Sequence, residues 1–157
     1  MTSSPKFILN QFDIKPLNAQ HNLSSFDCSY EEGYLGLNEF IHKEALQYQQ
    51  SFMGPTYVFF YQNSFVGYVT IAMYAIEVKE TRLGITAKEK RYPTLLLGRL
   101  AVDNNYRERH AGLCIVQWTV ACAEELAKNI GCRFVVVLTV PSKVGFYQKC
   151  DFETCPR

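Results

Sequence analysis

Between the apolar run LLLGRLAV (95–102) and an amphipathic stretch that begins at Leu113 lies the heptapeptide YRERHAG (106–112). Its place and length suit a turn that cradles a phosphate, because backbone N–H groups at a helix start point outward and the helix dipole favours an anion there. Gly112 offers the positive φ and close approach that such a turn uses, whereas His110 stands where a second glycine is usual. Histidine enters left-handed conformations more readily than most residues, and its ring N–H can donate to a phosphate. Arg107 and Arg109 add cationic donors beside it. Two readings stay open, a working phosphate loop and a degenerate one; an ordinary polar turn would be preferred if the loop stood alone.

The elements around this loop follow from hydrophobic periodicity. KFILNQFDI (6–14) reads as a first strand stopped by Pro16, and 29–52 as a helix in which Tyr34, Leu37, Ile41, Ala45 and Tyr48 recur at helical spacing. Two β-rich runs, 56–62 and 64–78, form a hairpin through Asn63. The polar stretch KETRLGITAKEKRYPT reads as irregular with one helical turn near Thr86, and LLLGRLAV as a strand buried on both faces. From Gly112 to Ile130 a stripe of Leu113, Val116, Val120, Ala123, Ala127 and Ile130 predicts a helix, stopped by Gly131. A buried strand (132–140), a short helix opened by Pro141 and the start of a last strand at DFETCPR complete the order. The reading is α/β: a mixed sheet with helices against it, its 95–140 unit a right-handed parallel crossover. Ligands of such units bind at the carboxyl ends of the strands, where YRERHAG lies.

The 157 residues suit one domain, 1–157, and 48% hydrophobic with 20% charged residues is a globular rather than a disordered balance. No apolar run approaches the roughly 20 residues of a membrane span, and the amino terminus lacks a signal-peptide pattern, so no membrane is expected and the cytosol is the expected address. The six cysteines show no zinc-ligand spacing and no metal site is expected; reduced thiols are the reading, with a Cys150 to Cys155 bridge as the alternative. A net charge of +1 argues against coating nucleic acid by bulk electrostatics. Yet Lys79, Arg82, Lys88, Lys90, Arg91, Arg99, Arg107 and Arg109 face only Glu80, Glu89, Asp103 and Glu108 within 79–109, so the remainder is net negative. That stretch is either a solvated charged loop or a patch for a phosphorylated partner.

RLAVDNNYRERHAG and VGFYQKCDFE together resemble the core of the GNAT acyltransferases, over roughly residues 56–154. That superfamily carries R/Q-x-x-G-x-G/A after its fourth strand, here on Arg107, Glu108, Arg109, His110, Ala111 and Gly112, and a short helix with a tyrosine before a G-F pair, whose glycine is here Asp151. The resemblance implies a GNAT fold: a central, mostly antiparallel mixed sheet, a parallel βαβ unit that binds coenzyme A, and flanking helices. It implies acetyl-CoA held at its pyrophosphate by Arg107 to Leu113, and at its pantetheine arm by the main chain of Leu100, Ala101 and Val102, whose side chains read as core. It also implies that Tyr147 protonates the departing thiolate. A phenol with an ordinary pKa near 10 suits that task; on residues alone, Tyr147 is equally an aromatic on the inner face of a helix. No carboxylate on LLLGRLAV offers a base, which leaves Glu77 or a water, and weakly favours an α-amine over a lysine as acceptor.

Phe26, Asp27 and Cys28, then Leu37, Asn38 and Phe40, then Val66, Gly67 and Tyr68 resemble the GNAT subfamily that includes toxins of toxin-antitoxin pairs. Characterised toxins of that group acetylate the α-amine of aminoacyl-tRNA; the subfamily also holds ordinary acetyltransferases. The leading expectation is therefore an acetyl-CoA-dependent N-acetyltransferase acting on a primary amine, with an aminoacyl-tRNA toxin and its antitoxin as the narrower form. A non-catalytic module that binds acyl-CoA or a protein, and an unrelated α/β domain, are the alternatives. Relatives continue past G-F-E into a final strand; a trimmed chain or a homodimer that covers the sheet edge is expected here.

Overall fold

The structure, a computed structural model, describes residues 4–31, 35–77 and 91–155. Tyr34, the cluster Lys79, Arg82, Lys88 and Lys90, and the turn expected near Thr86 lie outside the described residues.

Five strands follow one another across the sheet: β1 (Asp13–Pro16), β2 (Thr56–Tyr61), β3 (Ser64–Ile76), β4 (Tyr92–Val102) and β5 (Phe134–Val137). All neighbours are antiparallel except β4 and β5, which are parallel, as the crossover between them demands. The β2–β3 hairpin closes through Gln62 and Asn63, both at positive φ (47° and 67°), the combination whose twist matches the flanking strands. The expected α/β fold with a mixed, mostly antiparallel sheet is the fold found.

Alternation sends neighbouring side chains to opposite faces. Val58, Phe65, Tyr68 and Ala101 pack on one face with Phe26, Phe40, Ile41 and Ala45. Phe59, Val69, Leu95 and Leu97 pack on the other with Ile115, Val116 and Ala123 of helix α3 (Ala111–Asn129) and Tyr147 of helix α4 (Pro141–Lys149). The first face is covered by one continuous helix made of α1 (Leu37–Glu39), a π-helical turn (Phe40–Glu44) and α2 (Ala45–Gln50).

Several boundaries differ from the periodicity reading. The first helix begins at Leu37 rather than 29, because Gly36 takes a left-handed φ of 66° just before it; Ser29–Glu31 is a separate 3-10 turn. The first strand starts only at Asp13, since Leu9–Gln11 forms a 3-10 turn, and Pro16 is its last residue, tolerated on an edge strand. Helix α3 buries Ala111, Cys114, Ile115, Val116, Thr119 and Ala123, while Val120, Ala127 and Ile130 of the expected stripe are exposed. Its second half outruns the four-residue strand β5, which leaves that flank without a sheet to cover it. Strand β5 is half-buried rather than buried, and 152–155 are not a strand. None of the six cysteines is in a disulfide, so no Cys150 to Cys155 bridge forms. No described helix is long and apolar enough to cross a membrane.

Candidate active site

Strands β4 and β5 pair from Thr94↔Phe134 to Leu97↔Val137 and then part. The parting coincides with a bulge: Thr70 faces Arg99 and Ile71 faces Leu97, so Gly98 is an extra residue that bends β4 away from its parallel neighbour. From there to Val102 the strand keeps only its β3 ladder, through Val69↔Leu100, Tyr68↔Ala101 and Gly67↔Val102. One main-chain edge of Leu100, Ala101 and Val102 is thus left outside the sheet ladder, while their side chains are core: Ala101 on the α1/α2 face, Leu100 and Val102 on the α3 face.

Beyond Val102 the chain turns on Asp103, a buried carboxylate. Its two oxygens accept from Asn105 N (2.8 Å) and Asp27 N (3.0 Å), and Asn104 N donates to Asp27 O (2.8 Å). Asp27 in turn accepts from Ser29 N, side-chain and backbone hydrogen bonds that hold its carboxyl below the usual range. Cys28 N donates to Asn38 Oδ1 (3.0 Å), and the His42 ring donates to Phe26 O (2.8 Å). The segment 26–28 therefore ties the first helix to the loop after β4.

The loop itself uses left-handed backbone twice, at Glu108 (φ 61°) and His110 (φ 63°). His110 takes the conformation a glycine would have supplied, and as the residue before α3 it accepts from Cys114 N at 3.0 Å. The amides of Ala111, Gly112 and Leu113 precede that first helical bond and point out of the helix start, where an anion is favoured. Gly112 does not have positive φ; its place inside the first turn requires smallness, because a Cβ there would meet Phe146 Cζ at 2.9 Å. Both arginines are engaged beside the loop. Arg109 donates through Nε to Pro5 O (2.8 Å) and lies 4.0 Å over the Phe7 ring, while Arg107 lies 3.8 Å over the Tyr30 ring. Phe7 N donates to Arg109 O (2.7 Å) and Lys6 Nζ to Glu108 O, so the amino-terminal segment braces the turn.

Helix α4 opens with Pro141 in its first turn and carries Tyr147 on its inner face, 8% exposed, between the rings of Phe146 and Phe152. Burial first, and Cys150 second, push its phenol above the ordinary range. Asp151 replaces the expected glycine and takes φ 68°, letting Phe152 N return to Tyr147 O (3.0 Å). Tyr147 lines an open cleft of about 1270 Å³ with Val137, Leu138, Thr139 and Val140. Glu77 borders the same cleft and pairs with Arg91 at 3.9 Å, both exposed. Among the described residues no group of three or more His, Cys, Asp or Glu gathers as a metal site.

Asp103 and Phe146 escaped the sequence reading. An aspartate directly after an apolar strand was the available signal for the first; Phe146 gave none beyond its neighbour Tyr147.

No family profile matches the sequence, and no curated protein matches it. Solved structures do match its shape. AtaT complexed with acetyl-methionyl-tRNAfMet superposes with a TM-score of 0.81 at 19% identity, over 93% of this chain and 89% of that one. A tyrosine-to-phenylalanine variant of KacT also gives 0.81, at 18% identity over 94% and 89%. A tyrosine-to-phenylalanine variant of AtaT, bound to the carboxyl terminus of the antitoxin AtaR and acetyl-CoA, gives 0.70 at 21% identity over 88% and 82%. The chain has the fold of these GNAT toxins, as the resemblance in YRERHAG and VGFYQKCDF implied.

Proposed function

We propose that the protein, one domain over 1–157, is an acetyl-CoA-dependent N-acetyltransferase that acts on a primary amine. The observation that carries this is the parting of β4 from β5 at Gly98, which leaves a free main-chain edge running into the open amides of α3, with a buried tyrosine on the same face of the sheet.

The residues fit acetyl-CoA. The edge of Leu100, Ala101 and Val102 would hold the pantetheine arm, and the amides of Ala111, Gly112 and Leu113 the pyrophosphate, with the left-handed residues Glu108 and His110, alternating with Arg107 and Arg109, shaping the approach. When bound, acetyl-CoA supplies a thioester-activated acetyl group. The Tyr147 phenol, which burial raises further above its ordinary range, is protonated at physiological pH and would give its proton to the departing sulfur. No carboxylate stands on β4, so the acceptor must arrive largely neutral or lose its proton to Glu77 or water. An α-amine, with a pKa near 7.7 to 8, meets that demand far better than a lysine near 10.4.

A narrower reading is favoured by the fold match to AtaT in complex with acetyl-methionyl-tRNAfMet: the acceptor is the α-amine of an aminoacyl-tRNA, the setting is the cytosol, and an antitoxin restrains the enzyme, as AtaR binds AtaT. The variants of AtaT and KacT, each with one tyrosine changed to phenylalanine, support giving Tyr147 the acid role.

Calorimetric titration of acetyl-CoA, followed by acetyl transfer to methionyl-tRNA and to free amines, tests both levels. Micromolar binding with transfer to methionyl-tRNA supports the narrow form, and transfer to other amines alone supports the general one. Absence of binding at millimolar acetyl-CoA overturns the function.

A further inference from the structure

We infer that Arg99 is an anion-binding group of the acceptor site, taking an oxyanion, phosphate or carboxylate, that the acceptor carries near its reactive amine. This rests on the acetyltransferase reading above and adds a specificity determinant to it. Arg99 is the first residue past the Gly98 bulge, at the point where β4 leaves β5. Its side chain goes to the α1/α2 face, opposite Tyr147, where its guanidinium carbon lies 3.8 Å from the centroid of the Phe40 ring and 5.4 Å from that of Tyr48.

The group is half-buried, yet among the described residues it has neither a carboxylate partner nor a hydrogen-bond acceptor. Aromatic faces attract a guanidinium but leave its N–H edge unsatisfied, and the fork of five donors matches an oxyanion. Arg109, near the split, differs in donating to Pro5 O. Phe40 opens the π-helical turn, a distortion often found at functional sites, and it is this turn that sets the ring beneath Arg99. A purely structural arginine would be expected to find an acceptor in the fold; this one, half-buried where β4 leaves β5, has only the Phe40 and Tyr48 rings beside it among the described residues.

The test is a nuclear magnetic resonance titration of the Arg99 guanidinium signals, assigned with Arg99→Lys, using inorganic phosphate and acetate separately. A saturable shift of Arg99 with either ion below about 50 mM, retained when coenzyme A occupies the loop beside Arg107 and Arg109, supports the inference; a shift absent from Arg99, or lost when coenzyme A is added, overturns it. Acetyl transfer then names the source. Arg99→Gln should reduce kcat/KM at least tenfold for a 5′-phosphorylated methionyl-adenosine, if phosphate is bound, or for methionine, if carboxylate is bound. The same variant should leave the dephosphorylated analogue, methioninamide and the KM for acetyl-CoA within about twofold, and an equal loss on all four acceptors would mark Arg99 as structural. Because the titration needs no turnover, a protein that acetylates nothing but binds the ion through Arg99 would lose the proposed function and keep this site.

Discussion

A Cβ placed on Gly112 would stand 2.9 Å from Cζ and 3.2 Å from Cε2 of Phe146, so the first turn of α3 and the helix that carries Tyr147 are in contact through a missing side chain. Gly112→Ala therefore presses on the residue next to the tyrosine rather than only narrowing the loop. Overpacking of this kind costs about 1–3 kcal/mol, and each kcal/mol lowers the Tm of a domain this size by roughly 2–4 °C. Thermal melting should show that fall, with kcat reduced alongside it. An unchanged Tm would mean that Phe146 swings away freely.

Tyr147→Phe removes one oxygen that no described residue hydrogen-bonds, and keeps the ring between Phe146 and Phe152. Stability should barely move. If the phenol is the acid, kcat falls by about 10²–10⁴ with acetyl-CoA affinity unchanged. Expression of the wild type should arrest growth and the variant should relieve the arrest if the acceptor is aminoacyl-tRNA; turnover within twofold of wild type would remove Tyr147 from the mechanism.

The same burial sets a pH dependence. Tyr147 has its folded pKa raised above the unfolded value near 10, so the folded state holds a proton that the unfolded state releases. The stabilisation is complete below about pH 10 and is lost as the pH rises beyond it. Denaturant melts from pH 8 upward should show a steeper alkaline decline for the wild type than for Tyr147→Phe, and parallel curves would deny the shift.

How much of this was readable in advance depended on whether a signal was local. The hairpin at Gln62 and Asn63, the stop at Gly131 and the opening at Pro141 each rest on backbone preferences of one or two residues, and each appears where expected. His110 was legible as a residue able to adopt positive φ, and does so. Gly112 was misjudged, because its role is set by Phe146, which lies 34 positions along the chain and reaches it only through the fold. The stripe on α3 failed for a related reason: periodicity identifies an apolar face, but the short span of β5 decides how much of it is covered. Arg99 looked like part of a basic stretch until Phe40 and Tyr48 were placed beside it.

Asp103 offers the sharpest structural test of how the loop is held. One of its oxygens fixes Asn105, within its own turn, and the other reaches across to the amide of Asp27, so a single buried carboxylate joins the segment 26–28 to the start of the loop. Asp103→Ala leaves both amides without that acceptor. Hydrogen bonds to a charged group contribute about 1.5–3 kcal/mol, so the variant should melt several degrees lower. Hydrogen exchange separates this from general weakening: the amides of Asp27, Asn104 and Asn105 should lose protection well before those of β2 and β3, because the hairpin does not depend on the carboxylate. If the amides of β2 and β3 open in step with them, Asp103 supports the whole sheet rather than the loop. Protection unchanged at Asp27 would show that its bond to Asn104 is enough to hold the two segments together.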